Sequence, residues 1–529
     1  MSTFDDLLQQ LGTGKWNLIV FLSVCYWVLL LPSHNVGPAF LTPEVGHTCR
    51  LPENATGERD FTNMTGSQCN YEVTTIDGSI EERPCTEWNF DNTTYTNTIT
   101  SEFNLVCSRS FLRPTFKSIS FFGALMGAPF SGWLSDRYGR KMMLSVSTVS
   151  YTLLANALCW LPDIYSILTV RFLLGVMSPT SVHAGYTLSM ETCDPRFRAA
   201  TGILIFLPWT VGLILLGGFG YLIRDWRELM FALSLPTLLF LPVLWFVDES
   251  PRWLIVRGRH QHALRVLQKA GCWNKVAMPT EEELFVIMEN IQKKAQKTRR
   301  LSDSHASGPL SCLRGVMREA TVLFRTRRIR NITLALYLDY LVLGTVYYGL
   351  SLGGDKFGVD PFVYMTLGGV MELPSSTLTI PMVQKMGRKL SSILCFLATA
   401  GALLALGVTS LGWLGMVFTM AGKMSITAAY QIIYLYASEV FPTEVRQRGM
   451  GTATMAAKVG SVAAPFLVET LTAGNTGGGP KRHRGRSGNI WQLLTQNFSN
   501  SSCFLALDMS RAKQQNTNST SYLPALPES

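Results

Sequence analysis

Asp339, Glu372, Lys423 and Lys458 are ionisable side chains that stand inside runs of apolar residues. Glu372 lies eleven residues into the run 361–383, and Lys458 nine residues into the run 449–471. At about 1.5 Å per helical residue, these positions are roughly 16 Å and 14 Å from the start of each run. A charge at that depth in an apolar segment is expensive, so each is a functional candidate in its own right. An ammonium there can meet a carboxylate, and a carboxylate can meet an organic cation. The competing reading is an internal Lys458–Glu372 ion pair that holds no ligand. Bond-breaking chemistry has no comparable support. The chain carries no G-x-x-x-x-G-K-S/T phosphate loop and no H-E-x-x-H zinc motif, and its seven His are scattered. No enzyme activity, catalytic residue, metal site or cofactor is therefore expected.

The segments that must position these residues are about as long as a bilayer is thick. A hydrocarbon core of about 30 Å needs roughly 20 apolar residues in a helix. Apolar runs of this kind cover 16–41, 115–134, 142–161, 164–190, 200–223, 229–247, 332–352, 361–383, 390–409, 411–437 and 449–471. Only 16% of the residues are charged and 47% are hydrophobic, against about 25% charged in soluble domains. An all-α protein in a lipid bilayer is expected, and the first run, which lacks a small-residue cleavage site, is read as a retained helix.

The net charge of +10 is a topology signal rather than a nucleic-acid footprint. Segment 41–113 holds five Lys/Arg against eleven Asp/Glu, whereas 248–331 holds 17 Lys/Arg against eight Asp/Glu. The positive-inside rule puts 248–331 and the N-terminus in the cytoplasm, with 41–113 outside. Four of the eleven cysteines, Cys49, Cys69, Cys85 and Cys107, lie in that outer loop. An oxidising compartment permits disulfides there, and all three pairings stay open. Sequons at Asn54, Asn63 and Asn92 suit the same surface.

An internal repeat organises the chain. Gly139-Arg140-Lys141 recurs as Gly387-Arg388-Lys389, Glu191 and Arg198 recur as Glu439 and Arg446, and Tyr186 recurs as Tyr434, always at an offset of 248. One offset shared by unlinked motifs implies duplication. The expected organisation is a first half over 1–247, a linker over 248–331 and a second half over 332–471. Two parallel six-helix repeats describe the major facilitator fold, whose substrate site lies near the membrane midplane.

Gly132-Trp-Leu-Ser-Asp-Arg-Tyr-Gly-Arg-Lys141 resembles the loop between the second and third helices of that superfamily. Glu249-Ser-Pro-Arg-Trp-Leu254 and Tyr436-Ala-Ser-Glu-Val-Phe-Pro442 occur in both its sugar porters and its solute carrier 22 proteins. The opening Phe4-Asp-Asp-Leu-Leu8, the Cys-bearing loop closing with Ser101-Glu-Phe-Asn-Leu-Val-Cys107, Ile223-Arg-Asp-Trp-Arg227 and Gly422-Lys-Met-Ser-Ile-Thr-Ala-Ala-Tyr430 resemble solute carrier 22. The seventh run has no Gln, whereas a sugar site needs amides to pair its hydroxyls. The resemblance implies a secondary-active or facilitative transporter of small organic ions in the plasma membrane, working by alternating access. A coupling ion or exchange substrate stays open, and no nucleic acid is involved.

The same resemblance implies roles for residues. Asp136, Arg137, Arg140, Glu191, Arg198, Glu439 and Arg446 would form the gating charge network. The first copy would be the stronger, because Gln384 stands where the repeat predicts a second Asp136. Lys458, Glu372, Tyr347, Tyr348, Tyr186 and Tyr430 would line the cavity. In family members the position of Lys458 tracks substrate sign, basic in anion and carnitine carriers. An organic anion or a zwitterion such as carnitine is therefore expected, with an organic cation carrier, a sugar-porter-like carrier and a non-transporting sensor or inactive truncated form as alternatives. His183 is expected to be a hydrogen-bonded packing residue, and Asp339 fits no motif of the resemblance.

The repeat places a twelfth span near 477–495. That stretch opens Gly477-Gly-Gly-Pro-Lys-Arg-His-Arg-Gly-Arg486 and cannot cross a bilayer. The tail 472–529 is expected to be atypical and disordered, with the twelfth helix missing or replaced. Cysteines introduced as Ser67→Cys and Ser302→Cys are predicted to react with a membrane-impermeant thiol reagent from opposite sides. Labelling of both from one side would refute this topology.

Overall fold

The computed structural model describes residues 4–50, 69–74, 80–302, 323–324, 327–354, 360–408, 412–441 and 446–476. Each of the apolar runs is mostly helical over its described residues, with short non-helical breaks at 36–37, 205–206 and 241–242. The chain opens with α1 (Phe4–Leu11), α2 (Lys15–Asn35) and α3 (Pro38–Leu41), and α4 (Ile99–Glu102) closes the loop that follows. Next come α5 (Leu112–Tyr138), α6 (Arg140–Leu158), α7 (Ile164–Thr192), α8 (Arg198–Leu204), α9 (Leu207–Leu222), α10 (Trp226–Phe240) and α11 (Val243–Phe246). After the linker stand α15 (Arg327–Leu352), α16 (Pro361–Val408), α17 (Gly412–Val440) and α18 (Arg446–Thr476). Among the described residues, seven helical stretches are long and apolar enough to cross a membrane. One of them, α16, is two legs that meet at Gly387 (φ 78°). The twelfth span and the tail beyond Thr476 lie outside the described residues.

The loop after α3 departs from an all-helical chain. Strand β1 (His47–Arg50) pairs antiparallel with β4 (Glu87–Phe90), and β2 (Asn70–Thr74) pairs with β3 (Ile80–Pro84). Of the three disulfide pairings, the structure has Cys49–Cys85 and Cys69–Cys107. The loop is anchored where Glu102 accepts hydrogen bonds from Trp226 Nε1 (2.6 Å), Arg227 Nη2 (2.5 Å) and Asn97 Nδ2 (3.1 Å). Burial opposes ionisation of Glu102, but these donors outweigh it and hold the carboxyl below its ordinary range. This contact joins the stretches Ser101–Cys107 and Ile223–Arg227. Asn92 is exposed on the loop, while Asn54 and Asn63 lie outside the described residues.

The linker is itself folded over much of its length, as α12 (Pro251–Val256), α13 (His260–Asn274) and α14 (Glu281–Ser302). Leu7, Leu8 and Leu11 of α1 pack with Trp253, Leu267, Leu284 and Met288 in one buried cluster. The amphipathic opening Phe4–Leu8 therefore has its partner in the linker. The N-terminus and the linker lie at the same end of the helices.

Packing divides the chain into two compact units, and they do not follow the sequence halves. The first comprises Met1–Glu319, Tyr348–Leu373 and Ser461–Glu469; the second comprises Ala320–Tyr347, Pro374–Gly460 and Thr470–Ser529. Within the first unit, α5 and α7 approach backbone to backbone. A Cβ on Gly123 would lie 2.2 Å from the Phe172 carbonyl oxygen, one on Gly127 2.4 Å from that of Val176, and one on Gly175 2.1 Å from that of Ser120. Without a hydrophobic drive between helices in lipid, such close contact supplies the packing energy. Gly175→Ala is predicted to destabilise the purified protein by about 1–3 kcal/mol, the usual range for overpacking. Gly218→Ala, where nothing lies within 4 Å of the added carbon, should leave the melting temperature unchanged.

Candidate functional site

At the linker end of the first unit, Gly139 (φ 111°) turns the chain between α5 and α6. A Cβ there would meet Glu249 Oε2 at 2.3 Å, so the turn excludes side chains for two reasons. Glu249 Oε1 accepts from the backbone amides of Arg140 (2.8 Å) and Lys141 (3.0 Å) at the start of α6. These amides have no partner inside the helix, and a carboxylate suits the positive end of its dipole. Trp253 Nε1 and Arg257 Nη2 donate to the Asp136 carbonyl at 2.9 and 2.7 Å. The linker thus grips the loop that follows α5.

Arg140 is the hub of the charge network. Its Nε and Nη2 donate to the two oxygens of Glu191 at 3.1 and 3.2 Å, Nη2 pairs with Asp136 Oδ1 at 2.9 Å, and Nη1 donates to the Ser135 carbonyl at 3.2 Å. Two parallel bonds between guanidinium and carboxylate are the strong form of this pair. The side chains of Arg140 and Glu191 are only 11% and 13% exposed. The turn at Gly139 brings Arg140, at the start of α6, back onto Asp136 near the end of α5. Arg137, about 100° further round, instead lies over the rings of Trp133 and Tyr138 at 5.2 and 5.6 Å. Arg198 begins α8 after a helix break at 193–197 and pairs with Asp5 of α1 at 3.0 Å. Of the residues grouped with Glu191 in the sequence, Arg140 pairs with it, while Arg137 and Arg198 have the other partners just described.

In the second unit, Arg388 Nη2 is 3.0 Å from Glu439 Oε1, with both side chains nearly half exposed (44% and 45%). Gln384 supplies no second carboxylate, and the space beside Gly387 is open. Arg446 begins α18, and its side chain lies outside the described residues.

The intramembrane candidates divide between the units. Glu372, in the first, is 4% exposed. Lys458, in the second, is partly buried on α18, and no ion pair or hydrogen bond holds its ammonium among the described residues of that unit. Tyr186 stacks on Phe206 at 6.0 Å and Tyr348 packs on Phe121 at 4.4 Å in the first unit. In the second, Tyr347 lies under Lys423 Nζ at 5.9 Å and Tyr430 meets Tyr340 edge-on at 6.1 Å. The adjacent Tyr347 and Tyr348 diverge because successive helical residues point about 100° apart. Neither unit by itself gathers the four tyrosines into one cage. His183 Nδ1 is 2.7 Å from Ser131 Oγ and joins α7 to α5, the packing role expected of it.

Other contacts had no motif to announce them. At the loop end of the first unit, Arg113 pairs with Glu469, Lys117 Nζ donates to the Leu352 carbonyl (3.5 Å), and Ser118 Oγ donates to the Val462 carbonyl (2.7 Å). These bonds tie α5 to the ends of α15 and α18. Arg171, 1% exposed, donates to the His34 carbonyl at 3.1 Å and lies over Phe116 at 4.3 Å. Its charge faces the negative C-terminal end of α2. The signal for these residues was a cation within or beside an apolar run, which alone does not separate a buried bond from a snorkelling side chain.

The family described as "Sugar (and other) transporter" matches residues 62–491. An organic cation transporter protein of Drosophila melanogaster is 31% identical over 88% of this chain and 86% of its own length. Solute carrier family 22 member 6 of Mus musculus is 30% identical over the same shares, and organic cation/carnitine transporter 2 of Homo sapiens is 28% identical, again over 88% and 86%. The crystal structure of a D-xylose-proton symporter is similar with a TM-score of 0.59, at 15% identity over 93% of this chain and 97% of that one. At that identity the likeness establishes the fold alone, here the major facilitator fold.

The two repeat copies of the Arg–Glu pair are predicted to differ in energy. Arg140→Ala leaves Glu191 largely buried without its partner and should destabilise the purified protein by about 3 kcal/mol. Arg388→Ala breaks an exposed pair and should cost at most about 1 kcal/mol. Thermal melting in detergent checks both, and equal losses would contradict the contrast in burial.

Proposed function

The chain belongs to the sugar (and other) transporter family, on its solute carrier 22 branch, and is a multi-pass membrane transporter; from that premise we propose that it carries small organic anions or zwitterions such as carnitine. The observation that carries the proposal is Lys458, an ammonium in an apolar helix with no ion pair among the described residues of its unit. A cation so placed is unsatisfied until an anion arrives, and a substrate carboxylate would satisfy it. Glu372 and the tyrosines would receive the ammonium end of a zwitterion. A simple cation would meet Lys458 as a like charge, which disfavours it.

The cycle we propose is alternating access in the plasma membrane, with the N-terminus and residues 248–331 cytoplasmic and the loop 41–113 outside. The packing of α1 on the linker supports a common side for those two segments. The disulfides and the acidic balance of the loop support the opposite side for it. Arg113–Glu469 and the Lys117 and Ser118 bonds would be the contacts that break when the path opens outward. The network of Asp136, Arg140, Glu191 and Glu249 would hold the cytoplasmic end of the first repeat, with Arg388–Glu439 as the weaker counterpart in the second.

Uptake of labelled carnitine, an aromatic carboxylate and tetraethylammonium by wild type and Lys458→Asp tests the substrate assignment. Wild type should take up the carboxylate or carnitine, and the variant should lose at least about tenfold, the equivalent of 1.4 kcal/mol, while gaining the cation. Robust wild-type uptake of tetraethylammonium, unchanged by the substitution, would reverse the assignment.

A further inference from the structure

A second intramembrane charge is left without a role by this scheme. Asp339 stands on the buried face of α15, in the stripe Leu336, Asp339, Tyr340, Leu343 and Val346. The spacing of that stripe is that of a helix face packed into a core, yet one member is a carboxylic acid. Asp339 is 4% exposed, and its Oδ2 has no hydrogen-bond partner among the described residues. The Tyr340 hydroxyl beside it also has none. No cation among the described residues forms an ion pair with it.

The charged and titratable groups on the elements around Asp339 are few. On its own helix stands Tyr340; on α17, Tyr436 is close enough to interact with it electrostatically, and Tyr430 and Tyr434 adjoin Tyr340. Lys423 of α17 sits over Tyr347, eight residues and so about 12 Å further along α15. Glu439 is engaged by Arg388. On α18, Ala457 and Gly460 pack against Gly344 and Leu341, while Thr452 bonds Tyr337. Lys458 makes no ion pair with it. The surroundings of Asp339 are therefore apolar side chains and phenols.

An ionised carboxylate buried this way, unpaired, costs several kcal/mol, and it escapes the cost by binding a proton or a metal cation. A divalent cation would demand several oxygen ligands, and Asp339 is the one carboxylate in this cluster among the described residues. We propose that Asp339 is a proton-binding site, separate from Lys458, whose protonation is coupled to the transport cycle. The step is the simple equilibrium in which one carboxylate oxygen forms an O–H bond with a proton taken from water and later returns it to water. Conformations that admit water to Asp339 favour release, and those that keep it dry favour uptake. The proposal rests on the transporter reading but not on which solute Lys458 selects.

Two measurements on the full-length protein test it. In proteoliposomes with imposed pH gradients, the same three labelled probes are offered to wild type, Asp339→Asn and Asp339→Glu. For one proton per solute, wild-type accumulation of whichever probe it carries should change about tenfold per pH unit. Asp339→Asn should lose that dependence while keeping probe-for-probe exchange, and Asp339→Glu should retain it. Gradient-independent accumulation by wild type, or an unchanged gradient response in Asp339→Asn, would overturn the proposal. A switch of the carried probe from anion to cation would bear only on Lys458. Infrared spectroscopy gives a readout that needs no uptake. At neutral pH the wild type should show a protonated-carboxyl stretch that Asp339→Asn lacks and that shifts in Asp339→Glu. Identical spectra in that region would also overturn it.

Discussion

In a low-dielectric interior every charge must be paired, neutralised or waiting for a ligand, and this constraint sorts the polar residues of the molecule. Arg140 satisfies it with the two oxygens of Glu191 and with Asp136. Arg113 satisfies it with Glu469, and Arg171 in part, through one bond to the carbonyl end of α2 and an aromatic face. Helix packing depends on the same rule in another form, because backbone groups in lipid must be bonded within their own helices. The helices are then free to approach as closely as their side chains allow. At Gly123, Gly127 and Gly175 that limit is backbone contact.

The repeat carries two copies of one Arg–Glu pair, and substitution made them unequal. The first copy has Asp136 on Arg140, a glycine turn closed over by Glu249, and a linker helix holding the loop. The second has Gln384, an open glycine turn and a pair near half exposure. A buried bidentate pair and an exposed one differ by several-fold in what they contribute. The turn of the second repeat is therefore held by fewer and more exposed contacts than that of the first.

Packing units and sequence repeats answer different questions. The repeat of 248 residues records ancestry, whereas the compact units record which side chains touch in this conformation. The ends of α15, α16 and α18 nearest the loop pack with the first unit, through Phe362 and Met365 in its core and through the Lys117 and Ser118 bonds.

By itself the sequence determined the spans, the repeat, the family and the side chains whose depth in an apolar run demands an explanation. Those features are local: hydrophobic length, residue spacing and motif identity are all carried by neighbouring positions. The motif Gly132–Lys141 announced a charged turn, and the apolar runs announced Lys458, Glu372 and Asp339. Which charges meet was decided only in three dimensions. Nothing in the spacing separates Arg140, which reaches Glu191, from Arg137, which turns onto Trp133, except the rotation of a helix against its neighbours. The pairing of Cys49 with Cys85, the capping of α6 by Glu249 from over a hundred residues away, and the separation of Tyr347 from Tyr348 are of the same kind. Each depends on contacts between distant segments, whose geometry is set by packing and is not encoded in any one stretch of chain.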